Sequence, residues 1–232
     1  MNVRILNLVE GAKQATGATV IIDVFRAMSV EAYIMALGAA KIYPVGDQQI
    51  AYDLKAEHPE YVLIGERKGV MLPGFDFGNS PTQIADFDFR GKTVVHTTSA
   101  GTQGIANARS AEVILTGSLV NAKAVADYIL REGFETISLV CMGLLAQRPI
   151  EEDTLCAEYI RSLLLGEPLS GEELSSRIED MKHTSGAKFF DMQRQEVYPQ
   201  GDFFRCTELN RFPFVLKVER EAETGLDVVR RI

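Results

Sequence analysis

Thr19-Val20-Ile21-Ile22-Asp23-Val24-Phe25-Arg26-Ala27-Met28-Ser29 is the stretch that decides the fold. Its first four residues are all β-branched, with no polar alternation, and read as a strand covered on both faces. A carboxylate and a guanidinium follow directly, and Ser29 then caps a helical stretch running to Ala40. A buried strand, a short polar loop and a helix form one unit of an α/β sheet, with the loop at the strand's carboxyl end.

The same unit recurs outward from this point. Strands are expected at Lys41–Val45, Tyr61–Ile64, Thr93–Val95, Glu112–Leu115 and Ile137–Val140, with helices at Asp47–Glu57, Thr102–Ala111 and Asn121–Glu132 between them. After Pro149 an amphipathic helix is expected over Ile150–Leu165, closed by Gly166, and another over Glu172–Met181. His183 to Asn210 reads as polar and irregular, and Phe214–Val218 as a late strand. The expectation is a three-layer α/β/α fold on a mostly parallel or mixed sheet. Residues 1–232 are read as one unit, with room for two lobes.

Composition limits what such a fold does. The 232 residues are 46% hydrophobic and 24% charged, which excludes disorder and collagen-like repeats. A net charge of −8 argues against a nucleic-acid binder, whose footprint is basic. The three cysteines, Cys141, Cys156 and Cys206, are widely spaced and indicate neither a disulfide framework nor a zinc site. No signal-peptide pattern or spanning apolar run is read, so a cytoplasmic protein without membrane contact is expected, with a homodimer left open.

Chemistry concentrates beyond the strand ends, where open α/β sheets bind ligands. Asp23 reads as a nucleophile, general base or metal ligand, or as a loop carboxylate paired with Arg26. Arg26 and Arg67 offer planar contacts for an oxyanion, whereas Lys68 reads as ordinary surface charge. Thr97-Thr98-Ser99-Ala100-Gly101-Thr102 supplies hydroxyls and backbone N–H groups ahead of a helix, an anion cradle or a plain cap. Ser29, Glu66, Ser118 and Asn121 lie in comparable loops. In the long Pro73–Pro81 loop, Phe75 and Phe77 read as anchors and Asn79 and Ser80 as polar contacts or turn residues. Glu151-Glu152-Asp153 opens a helix, which the dipole favours, and Glu152 and Asp153 with Asp23 are also candidate Mg²⁺ ligands. His96, inside an apolar strand, reads as a satisfied core histidine.

A cradle, arginines and carboxylates together point to phosphoryl chemistry, and spacing excludes several signatures. No cysteine stands six residues before an arginine as the Cys-x5-Arg loop requires. Gly91-Lys92-Thr93 precedes a strand and lacks the first Walker glycine. Arg-His-Gly is absent, and Phe25 stands where haloacid-dehalogenase phosphatases carry their second Asp.

The ordered blocks Ile22–Ser29, Gly65-Glu66-Arg67, Pro73-Gly74-Phe75-Asp76-Phe77-Gly78-Asn79-Ser80-Pro81, Thr97–Thr102, Gly117–Ala122 and Glu152–Ala157 closely resemble the 2-phosphosulfolactate phosphatase (ComB-type) family. The Pro73–Pro81 block is the most specific. Departures are Phe25 and Met28, where Leu and Thr are usual, and Ser99-Ala100 in place of Thr-Asn. The resemblance implies a magnesium-dependent acid phosphatase converting 2-phospho-3-sulfolactate to 3-sulfolactate and phosphate, a step of coenzyme M biosynthesis. On that expectation Asp23, Glu152 or Asp153 holds Mg²⁺, Arg26 and the 97–102 loop hold the phosphoryl group, and Arg67 meets the sulfonate or carboxylate. A broader range of phosphorylated hydroxy acids, or non-catalytic binding of one, are the alternatives.

Overall fold

The computed structural model describes residues 1–232. The chain opens with β1 (Asn2–Asn7) and α1 (Leu8–Gln14), then β2 (Gly17–Ile22) and α2 (Ala27–Ala36), β3 (Lys41–Pro44) and α3 (Gln48–Glu57). β4 (Val62–Arg67) turns into the short β5 (Val70–Met71), and β6 (Thr93–Thr97) leads to α4 (Gly101–Asn107). There follow β7 (Ala111–Gly117), α5 (Ala122–Glu132), β8 (Thr136–Cys141), α6 (Glu151–Leu165) and α7 (Gly171–Met181). A 3-10 turn (Ala187–Phe190), α8 (Gln200–Thr207) and the pair β9 (Leu216–Arg220) and β10 (Asp227–Arg231) complete it.

The expected strands and helices are present, and the fold is three-layer α/β/α on a mixed sheet. Differences lie at edges and in the late segment. β1, β5, β10, α1 and α8 were not foreseen, α4 stops at Asn107 rather than 111, and the 183–210 stretch is not irregular throughout. Helix α2 begins at Ala27, with Arg26 as its N-cap and no side-chain cap, so Ser29 lies inside the first turn rather than capping it.

Alternation along β2 divides the core. Ala18, Val20 and Ile22 pack with α5 and α6, while Ile21 points to the other face among residues of α1, α2 and α4. A third cluster sits around Tyr43, Leu63 and Phe75.

The strand order is β1-β8-β2-β7-β9-β10-β3-β6-β4-β5. β1, β8, β2 and β7 run parallel, as do β3, β6 and β4, and the antiparallel β9–β10 hairpin joins the two groups. The three antiparallel steps from β7 to β3 leave the groups running in opposite directions. In a flat sheet the ends of β2 and β6 would lie at opposite rims and five strand spacings apart, roughly 24 Å. Instead a Cβ on Gly101, just beyond β6, would lie 3.0 Å from Asp23 Oδ2, just beyond β2. The sheet therefore coils strongly about the hairpin, bringing two sets of carboxyl ends to one cleft.

Candidate active site

The loop after β2 supplies the central carboxylate. Asp23 is buried, and its Oδ1 accepts the Ala27 N–H at 3.2 Å, the first turn of α2. Oδ2 has no protein donor. Gly101 is required opposite it, since a Cβ there would also come within 2.7 Å of the Ala27 Cβ. A cavity of about 170 Å³ opens at Asp23, lined also by Arg26, Glu66, Asn79, Ala100, Lys188 and Tyr198. Phe25, Arg26 and Ala100 donate their backbone N–H groups to no other protein atom. Free N–H groups converging beside cations form an anion site.

Glu66 organises two walls of the cavity. Its Oε1 accepts Ser99 N–H at 2.7 Å, and its Oε2 accepts the Gly69 N–H and, at 3.1 Å, the Ser99 hydroxyl. Gly69 has φ +84°, and a side chain there would collide with the Tyr198 hydroxyl. The Pro73–Pro81 loop is held along β4: Asp76 Oδ2 accepts Leu63 N–H at 2.8 Å, and Phe77 O accepts Gly65 N–H at 3.1 Å. Phe75 packs edge-on to Tyr52 and Phe77 to Phe87, so both aromatics anchor the loop. Asn79 is thereby placed at the cavity wall.

Arg26 is fixed from behind. Its Nη1 donates to Asp202 Oδ2 at 2.7 Å and to Val197 O at 2.9 Å, and its guanidinium lies 5.0 Å from the Tyr198 ring centroid. Asp202 is fully buried and also accepts the Ser80 hydroxyl at 2.7 Å and Thr82 N–H at 2.9 Å. Arg26 thus has a carboxylate partner, but Asp202 on α8 rather than Asp23.

Carboxylates crowd beneath the cavity. Burial pushes the Asp23 carboxyl up to about 6, with the charges of Glu66 and Glu152 adding to it and the Ala27 N–H and Lys188 opposing. Burial likewise raises Glu152, with the Lys188 charge opposing, and raises Asp153 well above the usual carboxylate value, with Asp23 and Glu152 contributing. Lys188 is lowered, again first by burial. Its ammonium has no carboxylate within 4 Å and sits 5.3 to 5.7 Å from the ring centroids of Phe25, Phe189 and Tyr198. Burial also raises the thiols of Cys141, Cys156 and Cys206, which leaves no thiolate nucleophile.

Of the residues singled out from sequence, Asp23, Arg26, Glu66 and Asn79 line the cavity and Gly101 abuts it. Arg67 does not. It follows Glu66 on one strand and so faces the opposite side, donating to Thr97 Oγ1 at 2.9 Å and Gly46 O at 3.1 Å. There it lines a separate surface cleft of about 730 Å³ with Arg109 and Arg220. Thr98 and Thr102 bond each other at the start of α4. Ser29 and Ser118 share a 2.6 Å hydroxyl contact, and Asn121 bonds Ser118 N–H and Thr116 O. Ser80 is spent on Asp202. These seven side chains, with Arg67, brace the loops and do not line the cavity.

Lys188 and Tyr198 went unseen because their stretch carries no strand or helix periodicity. The signal available was Lys188 beside Phe189-Phe190, an aromatic pair in an otherwise polar run. Lys68, read as surface charge, stands at the cavity rim. His96 is a satisfied core histidine, 3.1 Å from both Glu31 Oε1 and Asn79 Oδ1.

No three His, Cys, Asp or Glu side chains close on a common point. Asp153 engages Val24 N–H and Gly143 N–H at 2.8 Å each, tying the ends of β2 and β8 to α6. Glu152 differs: it is fully buried and neither oxygen has a hydrogen-bond partner. Magnesium needs only one or two protein carboxylates, the remaining positions going to water and substrate oxygens. Glu152, with both oxygens free of donors, and Asp23 Oδ2 have the donor chemistry magnesium takes, although Glu152 is not among the residues lining the cavity; Asp153 serves the backbone. No helix is long and apolar enough to cross a membrane.

The family model for 2-phosphosulpholactate phosphatase matches residues 4–221. A Carboxydothermus hydrogenoformans protein, named "Probable 2-phosphosulfolactate phosphatase", is 41% identical over 165 residues, 71% of this chain and 68% of its own. A Bacillus subtilis protein of the same name is 33% identical over 207 residues, 88% of each chain. The match spans every loop that builds the cavity and stops short only of β10, so the chain belongs to the 2-phosphosulfolactate phosphatase family and is a phosphoric monoester hydrolase.

Proposed function

We propose that the protein hydrolyses 2-phospho-3-sulfolactate to 3-sulfolactate and phosphate in a magnesium-dependent reaction at the Asp23 cavity. The observation that carries this reading is the buried Asp23 carboxyl at a half-open cavity lined by Arg26 and Lys188, with free backbone N–H groups on Phe25, Arg26 and Ala100. Monoester hydrolysis requires stabilisation of charge spreading over the phosphoryl oxygens, which preorganised donors in a dry site supply. The N–H groups of Phe25, Arg26 and Ala100, the Arg26 guanidinium and the Lys188 ammonium bind and orient the phosphoryl group. Because Asp202 holds Nη1 of Arg26, the guanidinium is set before substrate arrives.

Asp23 Oδ2 and Glu152 would hold Mg²⁺, which when bound neutralises phosphoryl oxygens and lowers the pKa of coordinated water. Asp23 would hold the ion through Oδ2 alone, since Oδ1 is tied to the Ala27 N–H. Lys68 at the rim meets the carboxylate or sulfonate, the role that Arg67 is turned away from. The net charge of −8 is thus compatible with a polyanionic substrate, because positive charge is local. A cytoplasmic place in coenzyme M biosynthesis is the pathway reading that goes with this substrate.

Phosphate release from 2-phospho-3-sulfolactate, compared with phosphoglycolate and phospholactate and with and without Mg²⁺, tests the assignment. Equal turnover of all three would replace it with a broad hydroxy-acid phosphatase. Single turnover in labelled water, followed by mass measurement of the Asp23 peptide, separates water attack from an acyl phosphate on Asp23.

A further inference from the structure

Behind Asn79 lies a buried chain that the reaction described above does not use. Glu31 on α2 and His96 on β6 are both fully buried; Nδ1 of His96 is 3.1 Å from Glu31 Oε1, and Nε2 is 3.1 Å from Asn79 Oδ1. Asn79 alone of the three reaches the cavity. The other Glu31 oxygen, Oε2, has no partner at all. An ion-pair-type contact between two fully buried groups with an orphaned oxygen is costly to retain.

An amide has one accepting and one donating end, and His96 can hold only one of them. If Nε2 carries a hydrogen it takes Oδ1, and the NH₂ end of Asn79 is left for the cavity. If Nε2 presents its lone pair it takes the NH₂ end, and an oxygen faces the cavity instead. The cavity already contains the Asp23 and Glu66 carboxylates, so an anionic ligand needs the donor end. We propose that Glu31 and His96 act as a positioning pair that keeps a hydrogen on Nε2 and so presents the Asn79 amide to the substrate as a hydrogen-bond donor. Nε2 carries that hydrogen whether Glu31 is the acid donating to Nδ1 or the carboxylate accepting from it opposite a doubly protonated ring. Oxygens face both ring nitrogens, Glu31 Oε1 at Nδ1 and Asn79 Oδ1 at Nε2, so a neutral ring with hydrogen on Nδ1 alone would set two lone pairs against each other at Nε2.

This inference rests on the Asp23 cavity being the phosphatase site, and its test separates the two. A double-mutant cycle on 2-phospho-3-sulfolactate turnover is the first arm. Asn79→Ala and His96→Leu each raise KM about 10- to 100-fold, the loss of one hydrogen bond to a charged group. His96→Gln, whose amide N–H replaces Nε2–H, recovers most of that loss. In the Asn79→Ala background, His96→Leu adds nothing further to KM. Additive KM effects, or a His96→Gln no better than His96→Leu at equal folded fraction, overturn the proposal. The second arm uses the wild-type chain alone: ring ¹⁵N spectra show a protonated Nε2, and inorganic phosphate shifts the Asn79 side-chain NH₂ resonances. An unprotonated Nε2 overturns the proposal even if every variant fails to fold. Absence of turnover in wild type would refute the assigned substrate, and the ¹⁵N spectrum would still decide the amide's orientation.

Discussion

Asp23→Asn is expected to stabilise the protein, and by an amount that depends on pH. The carboxyl rises from 3.8 unfolded to about 6 in the fold, chiefly through burial. A carboxyl raised in this way binds protons more tightly in the native state, so native stability falls as pH rises from about 4 to 6. Above 6 the cost is complete. At 1.36 kcal/mol per tenfold change in proton affinity, that cost is about 3 kcal/mol. Asparagine keeps the oxygen that accepts Ala27 N–H at 3.2 Å and removes the charge. It also relieves Asp153, whose carboxyl is raised by burial first and by Asp23 next. A smaller opposing effect is the lost attraction to Lys188. Urea unfolding in chelator, at pH 8 and again near pH 4.5, measures the difference. At pH 8 the variant should exceed wild type by up to about 3 kcal/mol, the advantage shrinking to well under half near pH 4.5. A variant no more stable than wild type at pH 8, or equally stabilised at both pH values, refutes the reasoning.

Asp202→Ala leaves Arg26 buried without its 2.7 Å partner and should cost about 3–5 kcal/mol in urea unfolding. Lys188→Met keeps the apolar stem among its aromatic rings but removes the charge; kcat/KM for phosphate release should fall roughly 10- to 100-fold with little change in Tm. Gly101→Ala places a methyl against Ala27 Cβ and Asp23 Oδ2, so stability should drop by about 1–3 kcal/mol and turnover with it. Chelation should reduce turnover at least about 10²-fold, with recovery on adding Mg²⁺, and Glu152→Gln should raise the Mg²⁺ concentration needed.

The buried strands were legible because their runs of β-branched residues had no other reading. β1 was not, since Arg4 interrupts it and it is half-covered at the sheet edge. The β9–β10 hairpin is rich in charge, and nothing local in Leu216–Arg220 or Asp227–Arg231 announces that it joins two parallel groups. The candidate site divides in the same way. Asp23, Arg26, Glu66 and Asn79 sit at strand ends or in a loop of turn formers, so their position carried their meaning. Arg67 is next to Glu66 in sequence, yet strand alternation turns it to the other face and a separate cleft. Lys188, Tyr198 and Asp202 come from a segment whose place is set by tertiary packing against Phe25 and Arg26, which no short-range pattern encodes.

The central claim is that the Asp23 cavity performs the phosphatase reaction. Its most direct test is steady-state phosphate release from 2-phospho-3-sulfolactate by wild type and Asp23→Asn, in Mg²⁺ at pH 7, with both chains shown folded. The account predicts wild-type turnover and a loss in the variant on the order of 10³ or more. A variant retaining turnover within tenfold of wild type would contradict it.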